Sequence, residues 1–391
     1  MRRLIFALLL VLASAPPVAL LWRALRQGGW TVWEEAIFVL VVLVMPWIGT
    51  LFASSLAGFL ILRFARDPLA ATWTPQATRP TALRTAVALA VRDEDLVAVL
   101  ARQAPLLDGL PAEGFDLWVL SDTRDPALAA AEEAAIETFR ATRPDGARIH
   151  YRRRRGNDGF KAGNVMEFLA NHAEGYAFMV SLDADSVMSA ARVEALVRQL
   201  AAHPKTALIQ TLIAPAPSEA AFPRLFQFGM RHGMRAYAAG IAWWQGPDGP
   251  YWGHNAVLRV TAFRAHAVLP DGMRILSHDQ VEAALLSAAG HEVRLDPREG
   301  GSFEANPPDM LAFLARDLRW MEGNLRYLTL LAVPLFRAMG RVQLGLAILL
   351  FLMSPALLLV LLLALANAYD PRGSVGIWSG LGATWLLALM Y

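Results

Sequence analysis

The sequence predicts an α/β domain built on a mainly parallel sheet and flanked on both sides by transmembrane α-helices. Three observations carry this expectation. Hydrophobic residues make up 55% of the 391 positions and mean hydropathy is +0.37, more apolar than an ordinary soluble domain. The nearly uncharged stretches 4–22, 36–62 and 343–366 are about long enough to cross a bilayer at ~1.5 Å per residue. Between residues 85 and 202, windows of strand and helix character alternate, the pattern of a doubly wound sheet.

The first stretch, after Met1-Arg2-Arg3, also fits a signal peptide, given the small residues at 13–15. A second apolar stretch so soon after it favours a membrane hairpin over residues 1–66. Arg2 and Arg3 precede the hairpin, and Arg63 and Arg66 follow it. The intervening loop holds Arg23, Arg26, Glu34 and Glu35, so the Lys/Arg bias votes mildly for both outer ends being cytoplasmic. Residues 67–336 then form a cytoplasmic domain, opened by a Pro/Thr-rich linker at 68–80. Strands are expected at 85–91, 115–121, 148–153 and 177–182, and helices at 95–106, 126–140, 162–170 and 191–202. The segment 223–244 mixes aromatics, Met and Arg, and reads either as a buried helix of the soluble domain or as a helix at the membrane interface, with the interface favoured. Residues 248–251 read as a turn before the short apolar 256–258. The C-terminal membrane region, 337–391, contains one full span with Pro355 inside it and a partial one at 377–391. The natural chain is therefore expected to continue, or to be a shortened relative.

Composition excludes several chemistries. With no Cys there is no disulfide, no thiolate metal site and no Cys nucleophile. A net charge of +2 and the absence of any dense Lys/Arg tract interleaved with aromatics give no nucleic-acid footprint. The only lysines are Lys161 and Lys205, which singles out Lys161.

Ligands of a doubly wound sheet sit beyond the carboxyl ends of its strands. Three of those ends are acidic: Asp93-Glu94-Asp95, Asp122, and the pair Asp183 and Asp185. Any one could be a helix cap. Asp183 and Asp185 are spaced i, i+2 at the end of an extended run, so they point to one side and can reach one ion together. Two carboxylates suit a hard cation such as Mg²⁺, which keeps its other positions for water and phosphate oxygens.

The series RDED at 92–95, SDT at 121–123, KAGN at 161–164, DAD at 183–185, GHN at 253–255, SHD at 277–279 and RDLRW at 316–320 resembles the membrane-embedded processive synthases of glycosyltransferase family 2. FDLWVLSDTRDP, YRRRRGN, ILSHDQVEAALLSAAG, GSFEANPP and RDLRWMEGNL are similar in particular to the members that build the backbone of osmoregulated periplasmic glucans. The likeness runs from about residue 80 to 366. It implies a Rossmann-like GT-A domain, a UDP-glucose donor, a growing β-glucan acceptor, Mg²⁺ or Mn²⁺, and export through the adjacent helices of a bacterial inner membrane, with periplasmic glucan-processing proteins as candidate partners. By position, Glu94 and Asp122 stand for contacts to uracil and ribose, and Lys161 for a donor-site residue. Asp183 stands on the diphosphate side and Asp185 as the metal ligand. Asp279 stands for the general base, and Arg316, Arg319 and Trp320 for the motif that binds diphosphate and stacks the acceptor. Gly253, His254 and Asn255 complete the substrate-binding set. Three departures from the family pattern stand out: Arg316 replaces the usual Gln, Asp93 the usual Asn before Glu94, and His278 the acid before the base.

The same residues admit plainer roles. His278 fits a helix start or a partner that orients Asp279, Trp320 fits a core aromatic, and the run Arg152 to Arg155 fits a solvated face. Trp243, Trp244 and Trp252 fit an acceptor groove or a headgroup belt. The alternative functions are a cellulose-like β-1,4 synthase, a non-processive sugar transferase to a lipid carrier, a nucleotide-sugar receptor without turnover, and a transporter. The last is disfavoured because no charge lies inside the apolar stretches.

Overall fold

A computed structural model describes residues 1–73, 83–268 and 275–370. The expected partial span at 377–391 lies outside the described residues. Helices α1 (Arg2–Leu25), α2 (Val32–Phe64) and α12 (Ala338–Ala368) are the three described helices long and apolar enough to cross a membrane. α1 and α2 form the expected hairpin. They approach so closely that a Cβ at Gly49 would lie 2.2 Å from Ser14 Oγ. Thr31 caps α2 in a reciprocal box with Glu34. The Thr31 hydroxyl also donates to Asn367 Oδ1 at 2.7 Å, and Asn367 donates to Glu34 Oε1 at 3.2 Å. This buried clasp fastens the end of α12 to the start of α2.

After α3 (Pro68–Thr72), a helical turn where an open linker is expected, the α/β domain follows in chain order. Its elements are β1 (Thr85–Val91), α4 (Leu96–Gly109), β2 (Phe115–Ser121), α5 (Pro126–Ala141), β3 (Ile149–Arg153), α6 (Phe160–Asn171), β4 (Phe178–Asp183), β5 (Ser186–Met188), α7 (Ala190–Ala202), β6 (Thr206–Thr211), β7 (Ala214–Pro215), α8 (Ala221–Gln245), β8 (Ala256–Arg259), α9 (Val260–His266), α10 (Asp279–Ala288), β9 (Glu292–Asp296), β10 (Ser302–Glu304) and α11 (Met310–Leu325). The main sheet runs β3-β2-β1-β4-β8-β6-β9 and is parallel except for β8, which is antiparallel to both neighbours. A second sheet, β5-β10-β7, stands beside its rim. Strand alternation divides the core: Val87 and Leu89 pack with α4 and α7, while Ala86 and Ala88 pack with α6 and α9. Both faces are therefore covered, as a parallel sheet requires.

α8 joins the two parts. Its C-terminal half is buried against the hairpin rather than lying free at an interface. A Cβ at Gly240 would lie 1.8 Å from Ser54 O, and one at Gly58 would lie 1.7 Å from Ala236 O. Trp244 stacks on Phe6 with ring centroids 4.1 Å apart and donates to Ser54 Oγ at 3.2 Å. Only the N-terminal half stays open, where Leu225 and Phe228 are exposed. Gly240→Val is expected to destabilise the chain by about 3 kcal/mol, the upper end of overpacking costs. Gly229→Ala, on the same helix with open space around it, should lose nothing. Thermal melts of the detergent-solubilised variants check this pair.

Candidate active site

The carboxylate turn is held from several directions. β4 ends at Asp183, whose N–H donates to Ser186 Oγ at 3.0 Å. From α4, Arg102 donates to Ala184 O at 2.9 Å and Gln103 to Ser186 O at 2.7 Å. Lys161 pairs its ammonium with Asp183. Burial opposes ionisation of Asp183, but Lys161 and His254 overcome it and hold the carboxyl below its ordinary value. Asp185 goes the other way. Loss of solvent around its carboxyl, then the Asp183 charge, push it up to about 6. One acid of the pair is thus matched by a protein cation and the other carries uncompensated charge, which a divalent ion would relieve. Among the described residues no group of three or more His, Cys, Asp or Glu could cage a metal. Two carboxylates with the remaining positions left to water and phosphate fit Mg²⁺ or Mn²⁺.

Lys161 owes its position to a tight loop. Gly159 and Phe160 both have positive φ (70° and 53°), and a Cβ at Gly163 would lie 1.9 Å from Asp158 O. Arg154 organises this loop, donating to Asp158 O at 2.8 Å and to Asn157 Oδ1 at 3.0 Å. Its Nη2 also donates to Asp122 Oδ2 at 2.8 Å while Nε holds Oδ1. The Arg152 to Arg155 run is therefore not a solvated face. Arg153, at the end of β3, and Arg155 beyond it are exposed, whereas the Arg152 and Arg154 side chains are buried. Asp122, expected to face the nucleotide, is buried with both carboxylate oxygens held by Arg154. Glu94 is exposed on the rim after β1, beside Asp93 at φ 57°. Asp95 caps α4, accepting from the N–H groups of Val97 and Ala98.

Opposite the turn stands Gly253. Its carbonyl accepts from Lys161 Nζ at 3.0 Å, Ser181 Oγ at 2.9 Å and Tyr251 OH at 3.0 Å. Its Cα lies against Asp279, the first residue of α10. A Cβ there would sit 2.8 Å from Asp279 Cγ, and φ is 86°. Only glycine fits both conditions. His278 makes no capping bond to the helix. Its Nδ1 lies 3.0 Å from Glu282 Oε1 and 3.3 Å from Asp279 Oδ1. Burial would lower the imidazole, yet Glu282 and Asp279 lift it to about 9, so it is charged at neutral pH. Asp279 thus keeps a cationic neighbour. Asn255, expected at the substrate, is fully buried, and its amide donates to Ser302 Oγ at 2.9 Å and Phe303 O at 3.1 Å.

α11 closes the rim. The spacing i, i+4 puts Arg316 and Trp320 on one face, with the guanidinium 4.4 Å from the ring centroid. Arg316 feels Glu304 and Asp185 electrostatically, which places this face beside the carboxylate turn. Trp320 is 47% exposed and so is not a core aromatic; Arg319 is exposed beside it. The end of α11 and the turn after it are latched to the segment leading into Asp279. A Cβ at Gly323 would lie 2.7 Å from Ser277 Cβ, and Tyr327 OH donates to Ser277 O at 2.9 Å. Between α2, α8 and α12, a cavity of about 60 Å³ is lined by Trp47, Trp252, Gln280 and Gln343.

The structure thus gathers Lys161, Asp183, Gly253, His278 and Asp279, and brings Asp185 within electrostatic reach of Arg316. It commits Asp122 and Asn255 to internal bonds. Sequence reasoning missed Glu304, Glu282, Ser186 and Tyr251. Glu304 lies within the GSFEANPP string, but a three-residue strand gives no periodic signal.

Comparison with known proteins identifies the family and the type of fold. Glucans biosynthesis glucosyltransferase H of Bradyrhizobium diazoefficiens is 37% identical over 357 residues, 88% of this chain and 48% of that protein. Its namesake from Rhodopseudomonas palustris (strain BisA53) is 39% identical over 325 residues, 80% of this chain and 45% of that protein. The chain spans about half the length of the curated relatives it matches. A mannosyltransferase from Pyrobaculum calidifontis, solved with GDP-Man and Mn²⁺, superposes with a TM-score of 0.58 at 16% identity, covering 90% of this chain and 92% of that one. That likeness establishes the GT-A type of fold. The family model described as "Glycosyl transferase family group 2" matches residues 178–391, more than half of the sequence. The chain therefore belongs to glycosyl transferase family group 2.

Proposed function

We propose that this chain is a membrane-embedded processive glycosyltransferase, an inverting hexosyltransferase that polymerises glucose from UDP-glucose into a β-glucan. The product is the β-1,2 backbone of osmoregulated periplasmic glucan, passed to the periplasm from a catalytic domain on the cytoplasmic side of the bacterial inner membrane. The observation that carries the reading is the meeting at Gly253: Asp279 lies against its Cα while its carbonyl holds Lys161, the partner of Asp183. A proton acceptor and an anion-handling carboxylate turn therefore share one cleft.

Asp279 removes the proton from the acceptor hydroxyl as the bond to the sugar forms. Trp320 offers a flat face for the acceptor ring, and Arg316 and Arg319 supply guanidinium groups for phosphate oxygens. Asp183 and Asp185 would hold Mg²⁺ or Mn²⁺; when bound, the cation neutralises charge building on the leaving diphosphate. Fixing acceptor and donor in one cleft removes much of the entropic barrier.

Trp320→Ala is expected to raise the acceptor KM by about tenfold, from the ~1–1.5 kcal/mol that an aromatic contact contributes beyond area burial, with little change in the KM for UDP-glucose. Equal changes in both constants would contradict the acceptor role. The function itself is tested by supplying membranes carrying the chain with radiolabelled UDP-glucose, UDP-GlcNAc or GDP-mannose, with and without divalent cation, followed by linkage analysis. A cation-dependent β-1,2-glucan from UDP-glucose is the expected product. Label found only on lipid, or a polymer built only from another donor, would overturn it.

A further inference from the structure

Behind the carboxylate turn lies a polar chain with no role in the transfer just described. Glu304 Oε2 lies 3.2 Å from His254 Nε2, and His254 Nδ1 lies 3.0 Å from Ser186 Oγ, the oxygen that also accepts the Asp183 N–H. Both charged side chains are largely buried, 13% exposed for His254 and 17% for Glu304. The backbone repeats the link. Glu304 of β10 is paired with Ser186 of β5, and Ala305 N–H donates to Asp185 O at 3.2 Å. Asn255 fastens the same strand through Ser302 and Phe303. Glu304 also acts electrostatically on Arg316 of α11.

We propose that Glu304 and His254 are positioning residues that hold the Asp183 to Ser186 turn, through Ser186 Oγ, in the geometry that takes a divalent cation. The inference rests on the reading of Asp183 and Asp185 given above, and it moves His254 from substrate contact to support. Physically, a carboxylate on a flexible turn loses affinity by sampling orientations that miss the ion. An imidazole bonded on both sides stops the hydroxyl beneath that turn from rotating. Partners of this kind behind a metal ligand typically contribute 10- to 100-fold in affinity.

The test measures Mn²⁺ affinity by electron paramagnetic resonance on the full chain in detergent, with UDP present, alongside thermal melts. Glu304→Ala and Ser186→Ala are each expected to weaken Mn²⁺ at least tenfold while a cooperative thermal melt without cation shows that the fold is retained. Glu304→Gln, which keeps an acceptor for His254, should stay within about threefold of wild type. Unchanged Mn²⁺ affinity in either Ala variant overturns the proposal, as does equal weakening in Glu304→Ala and Glu304→Gln, because position would then not be what matters. A His254→Asn variant that alters the KM for UDP-glucose without moving Mn²⁺ affinity would return His254 to substrate contact. Wild-type protein that binds no Mn²⁺ with UDP would be a separate failure, of the site reading itself.

Discussion

Asp279→Asn is expected to lower sugar transfer by about 10²- to 10⁴-fold, the range a positioned general base contributes, and to leave UDP-glucose affinity within about twofold. The substitution is nearly isosteric, so the contact with Gly253 and the start of α10 survive it. What disappears is the proton acceptor. His278 stays charged through Glu282, which lies nearer to it than Asp279 does. Single-turnover transfer measured beside equilibrium binding of UDP-glucose separates the two effects. Equal loss of both would reassign Asp279 to donor binding. Gly253→Ala offers a geometric companion: its methyl would displace the base itself, so transfer should fall without any change in chemistry at Asp279.

Asp185→Asn is expected to lower transfer by about 10³-fold, since a cation on the leaving group contributes several kcal/mol. Removing divalent ions with a chelator should reproduce the loss in wild type and add nothing to it in the variant. Asp185 is the more telling of the two acids. Asp183 retains Lys161 as a partner, whereas Asp185 is crowded by Asp183 and Glu304. Asp95→Asn is the control. Asp95 is also acidic and on the same rim, but it caps α4, so its variant should transfer sugar at the wild-type rate. Initial rates across a Mn²⁺ titration check all three. A wild-type rate for Asp185→Asn at saturating Mn²⁺ would remove Asp185 from the site.

Much of the architecture is legible in the sequence because it is periodic. Residues 85–91 and 115–121 are expected as strands and form as β1 and β2 with those same limits, since TAVALAV and FDLWVLS are continuous runs of buried β-sheet residues. The three spans are equally plain from hydropathy. Antiparallel β8 is less legible: four residues carry no period, and its direction is set by the loop that brings Gly253 back over the rim. The second sheet is shorter still.

The site was legible as residue types and not as partners. Asp95, Asp122 and Asp183 look alike in sequence, yet one caps a helix, one is consumed by Arg154 and one pairs with Lys161. The difference comes from neighbours remote in sequence, 32 residues away for Arg154 and Asp122. α8 shows the same limit. Its mixed composition suits a lipid interface, but Gly240 and Gly58 allow a backbone approach that buries half of it. His278 replaces an acid of the family pattern, and only its distance to Glu282 explains how a cation is tolerated there.

The most direct measurement is a structure of the chain with Mn²⁺ and UDP, with the ion located by its anomalous scattering. The account predicts Mn²⁺ between Asp185 and the UDP diphosphate, with the open face of the nucleotide turned to Asp279 and Trp320. Mn²⁺ away from the Asp183 to Asp185 turn, or a diphosphate on the opposite side of the sheet from Asp279, would contradict it.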